Sequence, residues 1–171
     1  MTYGIFWAYG LFWQRDEVEW FPGAGNRGQF RLLGRIGARL PNLRVADFRM
    51  QQGIYILYGN AGPHYAGLTR SQTLGKRLRD HLSDDHANHW DRFSWFSFRR
   101  VLKAVDDHGL QKFGASATNR ISSPNVVMGD VEALLIRAMA LRNIAKMNFA
   151  HAERWTQVKL TEAAKYLAKV A

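Results

Sequence analysis

A chain of 171 residues with 47% apolar side chains has room for one domain, or one domain and a small appendage, around a packed core, so disorder is not the default reading. Lys and Arg outnumber Asp and Glu by 24 to 14, a formal net charge of +10 with a pI near 10.3, which favours a polyanionic partner without choosing between DNA, RNA and an acidic membrane. Cysteine is absent, so disulfides, thiolate nucleophiles and Cys-based zinc sites are excluded, and any metal must be held by oxygen or imidazole ligands.

The apolar opening YGIFWAYGLFW (residues 3–13) has no basic segment before it and no small-residue cleavage site after it. It reads as neither a signal peptide nor a membrane span, for which it is too short, and the chain is expected to be soluble and cytoplasmic. Residues 1–50 are rich in aromatics, with Trp7, Trp13, Trp20, Phe21 and Phe30. The turn-rich run PGAGNRG (residues 22–28) between VEWF and QFRLLGRI predicts a β-hairpin, hence a small β-rich N-terminal extension that packs on the rest. Gly23, Gly25 and Gly28 spell G-x-G-x-x-G with Asp47 downstream, but the following segment is broken by Gly34 and Gly37, and a dinucleotide fold has no room for its repeats. Ile54 to Tyr58 form a β-branched and aromatic run bounded by Gly53 and GNAGP, and HYAGLT supplies a second strand, so the two make a hairpin. In SQTLGKRLRDHL, Leu74, Leu78 and Leu82 recur every four residues, an amphipathic helix with Ser71 or Thr73 as its cap.

HWDRFSWFSFRRVL alternates like a third strand, and GLQKFGASATNRISSPN reads as a flexible loop. Asp130 opens DVEALLIRAMALRN, apolar around nearly its whole circumference and therefore expected to be a buried helix. LTEAAKYLAKV is expected to be a last helix after Thr161, in a terminal segment (151–171) packed on the domain.

Gly53-Ile54-Tyr55 followed by Tyr65-Ala66-Gly67 resembles the paired tripeptides of the GIY-YIG nuclease family. The downstream order strengthens it: Arg77 and His81 on the helix after the hairpin, Glu132 on a later helix, then Asn148. The resemblance spans about 95 residues within a domain of residues 51–150. It implies an α+β fold, a small three-stranded antiparallel sheet flanked by helices. It further implies an endonuclease that hydrolyses phosphodiester bonds in DNA, the choice between DNA and RNA being left open, with one Mg²⁺ or Mn²⁺ held by Glu132. In such a site Tyr55, helped by Tyr65 or His81, would activate or position the attacking water, Arg77 would offset charge on the phosphoryl oxygens, and Asn148 completes the set. Ala66 stands where the family name has isoleucine, at a position expected to pack beneath the hairpin. A second histidine found in some members has two candidates here, His89 and His86. Restriction, repair and phage-defence roles are all compatible, and cutting both strands would call for a homodimer or two encounters.

The residues themselves point the same way. Arg77 and His81, four apart, share a helix face and can reach one phosphate. Glu132 is a lone carboxylate in an apolar helix, where it needs a cation, a partner or the helix dipole. His64, His81, His86 and His89 cluster in sequence but lack a recognised ligand spacing. The alternative of another class is a non-catalytic nucleic-acid-binding module that keeps the fold and the basic surface.

Overall fold

The computed structural model describes residues 4–22, 30–36, 44–69, 71–115, 124–139 and 155–160. Its strands are β1 (Ala8–Gln14), β2 (Leu33–Ile36), β3 (Arg44–Asp47), β4 (Gly53–Gly59), β5 (Gly62–Leu68), β6 (Arg92–Ser97), β7 (Val101–Val105), β8 (Gln111–Phe113) and β9 (Thr156–Leu160), and its helices are α1 (Leu74–Asp80) and α2 (Pro124–Ala138). The class is α+β. The main sheet has seven strands in the order β3-β2-β9-β1-β6-β4-β5, not three. Every neighbouring pair is antiparallel except β1 and β9, which run parallel. The sheet is larger than the resemblance implies because four strands, β1, β2 and β3 from the first 50 residues and β9 from residues 156–160, join it on the far side of β6.

β4 lies between β6 and the edge strand β5, and its alternation sorts its side chains onto two faces. Tyr55 and Leu57 enter a core with Leu74 and Leu78 of α1, whereas Ile56 and Tyr58 enter a second core with Ala133, Leu134 and Ala138 of α2. The two helices therefore lie on opposite faces of the sheet. On the α1 side the core is filled by aromatics, among them Trp13, Trp20, Phe48, Trp90, Phe93 and Trp95, all buried. Thr73 caps α1, its hydroxyl accepting from the Lys76 N–H at 3.4 Å, and the Leu74 and Leu78 side chains are buried as the four-residue stripe predicts.

Three local expectations change. The described part of VEWF forms no strand; Trp20 instead packs on Phe30, Trp90 and Phe93, while the turn at 23–29, with its glycine motif, lies outside the described residues. Part of the expected loop after Gly109 is strand β8, because pairing with β7 brings the Phe113 ring within 5.5 Å of Phe48. Helix α2 starts at Pro124, a residue suited to a first helical turn, so Asp130 does not open it. Its carboxylate instead accepts the Ile5 N–H at 2.5 Å. Nor is α2 buried all round: it packs on the sheet with one side, and Met128, Val131 and Leu135 are exposed. The last helix expected after Thr161 lies outside the described residues. No helix among them is long and apolar enough to cross a membrane.

Candidate active site

The α1 face of the sheet gathers side chains from three elements around the hairpin. Tyr55 projects from β4 and Tyr65 from β5, while α1 contributes Arg77 in its last turn and His81 as its C-cap. Both tripeptide glycines have a steric reason. A Cβ at Gly53 would overlap the Phe96 carbonyl of β6, and one at Gly67, the register partner of Tyr55, would overlap the Tyr55 hydroxyl. Gly67 thus makes the room in which the Tyr55 hydroxyl sits. Ala66 does not pack beneath the hairpin; it is exposed, since β5 is an edge strand with that side facing out.

The proton positions follow from donor and acceptor types. His81 Nδ1 lies 2.6 Å from an Asp84 carboxylate oxygen. An ionised carboxylate only accepts, so Nδ1 carries the proton and Nε2 of a neutral ring is left as an acceptor. The Tyr55 hydroxyl, 2.8 Å from Nε2, must then donate. The Tyr65 ring lies 6.1 Å from the Tyr55 ring, and the Arg77 guanidinium and the Tyr65 hydroxyl both act on the Tyr55 hydroxyl electrostatically. The result is a hydrogen-bonded chain from Tyr55 through His81 to Asp84, with Tyr65 and a guanidinium beside it.

Burial sets the electrostatics. Tyr55 and His81 are 0% and 1% exposed, whereas Tyr65 and Arg77 are half-buried and Asp84 is exposed. Burial pushes the Tyr55 hydroxyl up to about 12; Arg77 opposes the shift and Tyr65 adds to it. The same burial holds His81 below the usual histidine value, with Asp84 pulling upward and Arg77 and His86 adding to the depression. For Asp84, burial acts to raise the value, but the His86 N–H and the His81 ring together outweigh it and hold the carboxyl below its usual range. Neutral Tyr55, neutral His81 and ionised Asp84 are the resting forms near pH 7.

His81 begins an irregular segment pinned from outside. Trp90 Nε1 donates to the His81 carbonyl at 3.0 Å, and Arg15 donates to the Ala87 and Trp90 carbonyls. This brings the His86 ring to 4.4 Å from Tyr65 and 5.2 Å from His81, and His86 Nδ1 to 3.1 Å from His64 Nε2. Of the two candidates for a second histidine, His86 adjoins the tyrosines; His89 stacks on His64 at 5.2 Å, further out.

Four of the six expected residues, Tyr55, Tyr65, Arg77 and His81, come together. Two do not. Glu132 lies on α2, across the sheet, where its helix packs by Ala133 and Leu134 against Ile56 and Tyr58 rather than against Tyr55. The sheet thus lies between α2 and the tyrosine hydroxyls. Asn148 lies outside the described residues. Tyr55 also differs from expectation, since its hydroxyl is enclosed and spoken for by His81, leaving Tyr65 and Arg77 as the outward-facing groups. Asp84 went unread in the sequence, although an acid three residues after a helix-terminal histidine was a usable signal. Asp47, the acid after the glycine motif, is structural. It caps the turn Phe48–Met50 by accepting from the Arg49 N–H and also accepts from the Leu32 N–H. Compared with models of protein families, with curated proteins and with solved structures, the chain matches none.

Proposed function

We propose that this chain is an endonuclease that hydrolyses phosphodiester bonds in DNA at the Tyr65, Tyr55, Arg77, His81 and Asp84 site. The observation that carries the reading is the hydrogen-bond chain from Tyr55 through His81 to Asp84, with Tyr65 and a guanidinium beside it, on a chain with net charge +10. A phosphate approaching this face meets Arg77 and the Tyr65 hydroxyl first. The attacking water gives its proton to Tyr65 as Tyr65 passes its own to Tyr55 and Tyr55 passes its own to His81 Nε2. Water oxygen bonds to phosphorus, the bond to the leaving oxygen breaks, and that oxygen takes a proton from solvent. A concerted shift avoids a free Tyr55 anion, which its high pKa makes costly. Asp84 then holds the imidazolium that forms, and Arg77 offsets charge on the phosphoryl oxygens. The exposed Phe21 ring with Arg79 over it, on the adjoining flank of α1, offers a stacking surface for a base.

The test is incubation of supercoiled plasmid DNA and of RNA with the purified chain, with Mg²⁺, Mn²⁺ or EDTA, beside Arg77→Ala and Tyr65→Phe variants. Cleavage by the wild type and its loss in both variants support the site; full activity in either removes that residue. The placement of Glu132 across the sheet favours a second reading, a binding module without catalysis. Salt-sensitive DNA binding with no cleavage under any metal condition would select it.

A further inference from the structure

We infer that the cleft on the flank of α1 seats one unpaired base of a single-stranded nucleic acid, stacked on Phe21, beside a phosphate held at Arg77. The inference rests on the reading above that the chain acts on nucleic acid, and it names the form of substrate taken. The cleft has a volume of about 1040 Å³, at the upper end of the roughly 300–1,000 Å³ of ligand pockets. Its floor is apolar, made by Val18, Trp20 and Trp90, all buried. Its walls are tied together: Trp20 Nε1 donates to the Arg15 carbonyl at 2.8 Å, and the Arg15 guanidinium donates to the Ala87 and Trp90 carbonyls. Phe21 lines the same cleft with 72% of its surface exposed. The Arg79 guanidinium lies over both the Phe21 and the Phe30 rings, at 5.2 and 5.5 Å, which braces the Phe21 ring without covering it. An aromatic ring held out in water beside an apolar cleft is a platform on which a flat heterocycle stacks.

Charge selects the occupant. A phosphate needs donors, but the lining carboxylates of Asp16, Asp80 and Asp91 only accept, and Arg15 is engaged by backbone carbonyls. A cationic peptide side chain is no better served, since Asp80 and Asp91 already pair with Lys76 and Arg92 and two guanidiniums line the cleft. A neutral base stacks on Phe21 and offers its N–H groups to the carboxylates. The phosphate that follows it has a cation at hand, because Arg77 of the tyrosine site lies 4.0 Å from the Asp80 carboxylate at the edge of the cleft. In a duplex the base is stacked and paired, so the base that enters must be unpaired or flipped out.

The experiment is fluorescence anisotropy of the purified full chain, at one salt concentration in EDTA, with three labelled probes. These are a single DNA strand without self-complementarity, the duplex of the same length, and an oligo-arginine peptide; a gel checks that the strand stays intact. The single strand is expected to bind more tightly than the duplex. Phe21→Ala should weaken single-strand binding by roughly 5–150-fold, the value of one base stacked on an aromatic side chain, leave duplex binding unchanged, and be rescued by Phe21→Trp. Phe21 is exposed, and a thermal melt verifies that each variant is folded. Wild-type binding of the single strand by Phe21→Ala, equal binding of duplex and single strand, or Phe21-dependent capture of the peptide without the strand overturns the inference. Cleavage assays on plasmid and on the same strand separate the two ideas. Phe21-dependent binding without cleavage keeps the cleft and sinks the nuclease, and cleavage with binding indifferent to Phe21 does the reverse.

Discussion

Replacing Tyr55 by Phe removes the oxygen that begins the hydrogen-bond chain to His81 and Asp84 and little else, because the ring is buried in the core. The hydroxyl donates to His81 Nε2 at 2.8 Å, and His81 is 1% exposed. The variant therefore leaves a buried ring nitrogen without a donor, which costs about 1–3 kcal/mol. Activity should fall further than stability, by roughly 10²–10⁴-fold, the usual contribution of a positioned acid or base. The matched control is Tyr58→Phe, three residues along the same strand but on the other face, where the hydroxyl donates to the Ala138 carbonyl at 2.6 Å. That change should cost about 1 kcal/mol and leave cleavage at the wild-type rate. Urea denaturation gives the stabilities and initial rates of plasmid nicking give the activities. A folded Tyr55→Phe protein that nicks at the wild-type rate refutes the relay, and equal losses in both variants would mean that the effect is general destabilisation.

Three further outcomes follow from the same geometry. Gly67→Ala pushes a methyl into the Tyr55 hydroxyl, so it should lower stability by about 1–3 kcal/mol and reduce nicking as Tyr55→Phe does; a stable, fully active variant would show that the hydroxyl is free to move. His81 must be neutral to accept a proton and its pKa is depressed from 6.5, by burial first, so the acid limb of kcat/KM should lie below pH 6.5. Because the unfolded chain binds that proton more readily, stability contributed by neutral His81 is complete above 6.5 and is lost as pH falls from there through the lower folded value, which melting temperatures across that range would follow. Asp47→Ala removes the acceptor of the Leu32 and Arg49 N–H groups and should cost about 1–3 kcal/mol in urea denaturation without changing the cleavage rate.

What could be read from the sequence was what neighbours in sequence decide. The leucine stripe of α1, the Thr73 cap and the β4–β5 hairpin depend on spacings of a few residues, and Arg77 and His81 inherit their placement from that helix. Asp84 belongs to the same neighbourhood, yet its pairing depends on a turn that Trp90 and Arg15 enforce from outside. The position of α2 lay beyond reach. Its residues are apolar enough for either face of the sheet, and only long-range packing against Phe96 and Trp155 sets it opposite α1. Strand β9 was hidden for the same reason, since WTQVKL declares no partner.

The parallel pairing of β1 with β9 has a bearing on how the molecule is made. Tyr9 and Gln157, joined by a side-chain hydrogen bond, are 148 positions apart, and β9 also bridges β1 to the β2–β3 pair. On a ribosome the β1–β6–β4–β5 half can assemble while β2 and β3 still wait for a neighbour, and β1 keeps a bare edge until residue 160 has emerged. Such non-local closure slows folding and leaves a strand edge open to other chains in the meantime. Nascent chains stopped before Thr156 should therefore depend on chaperones more than those that have passed it.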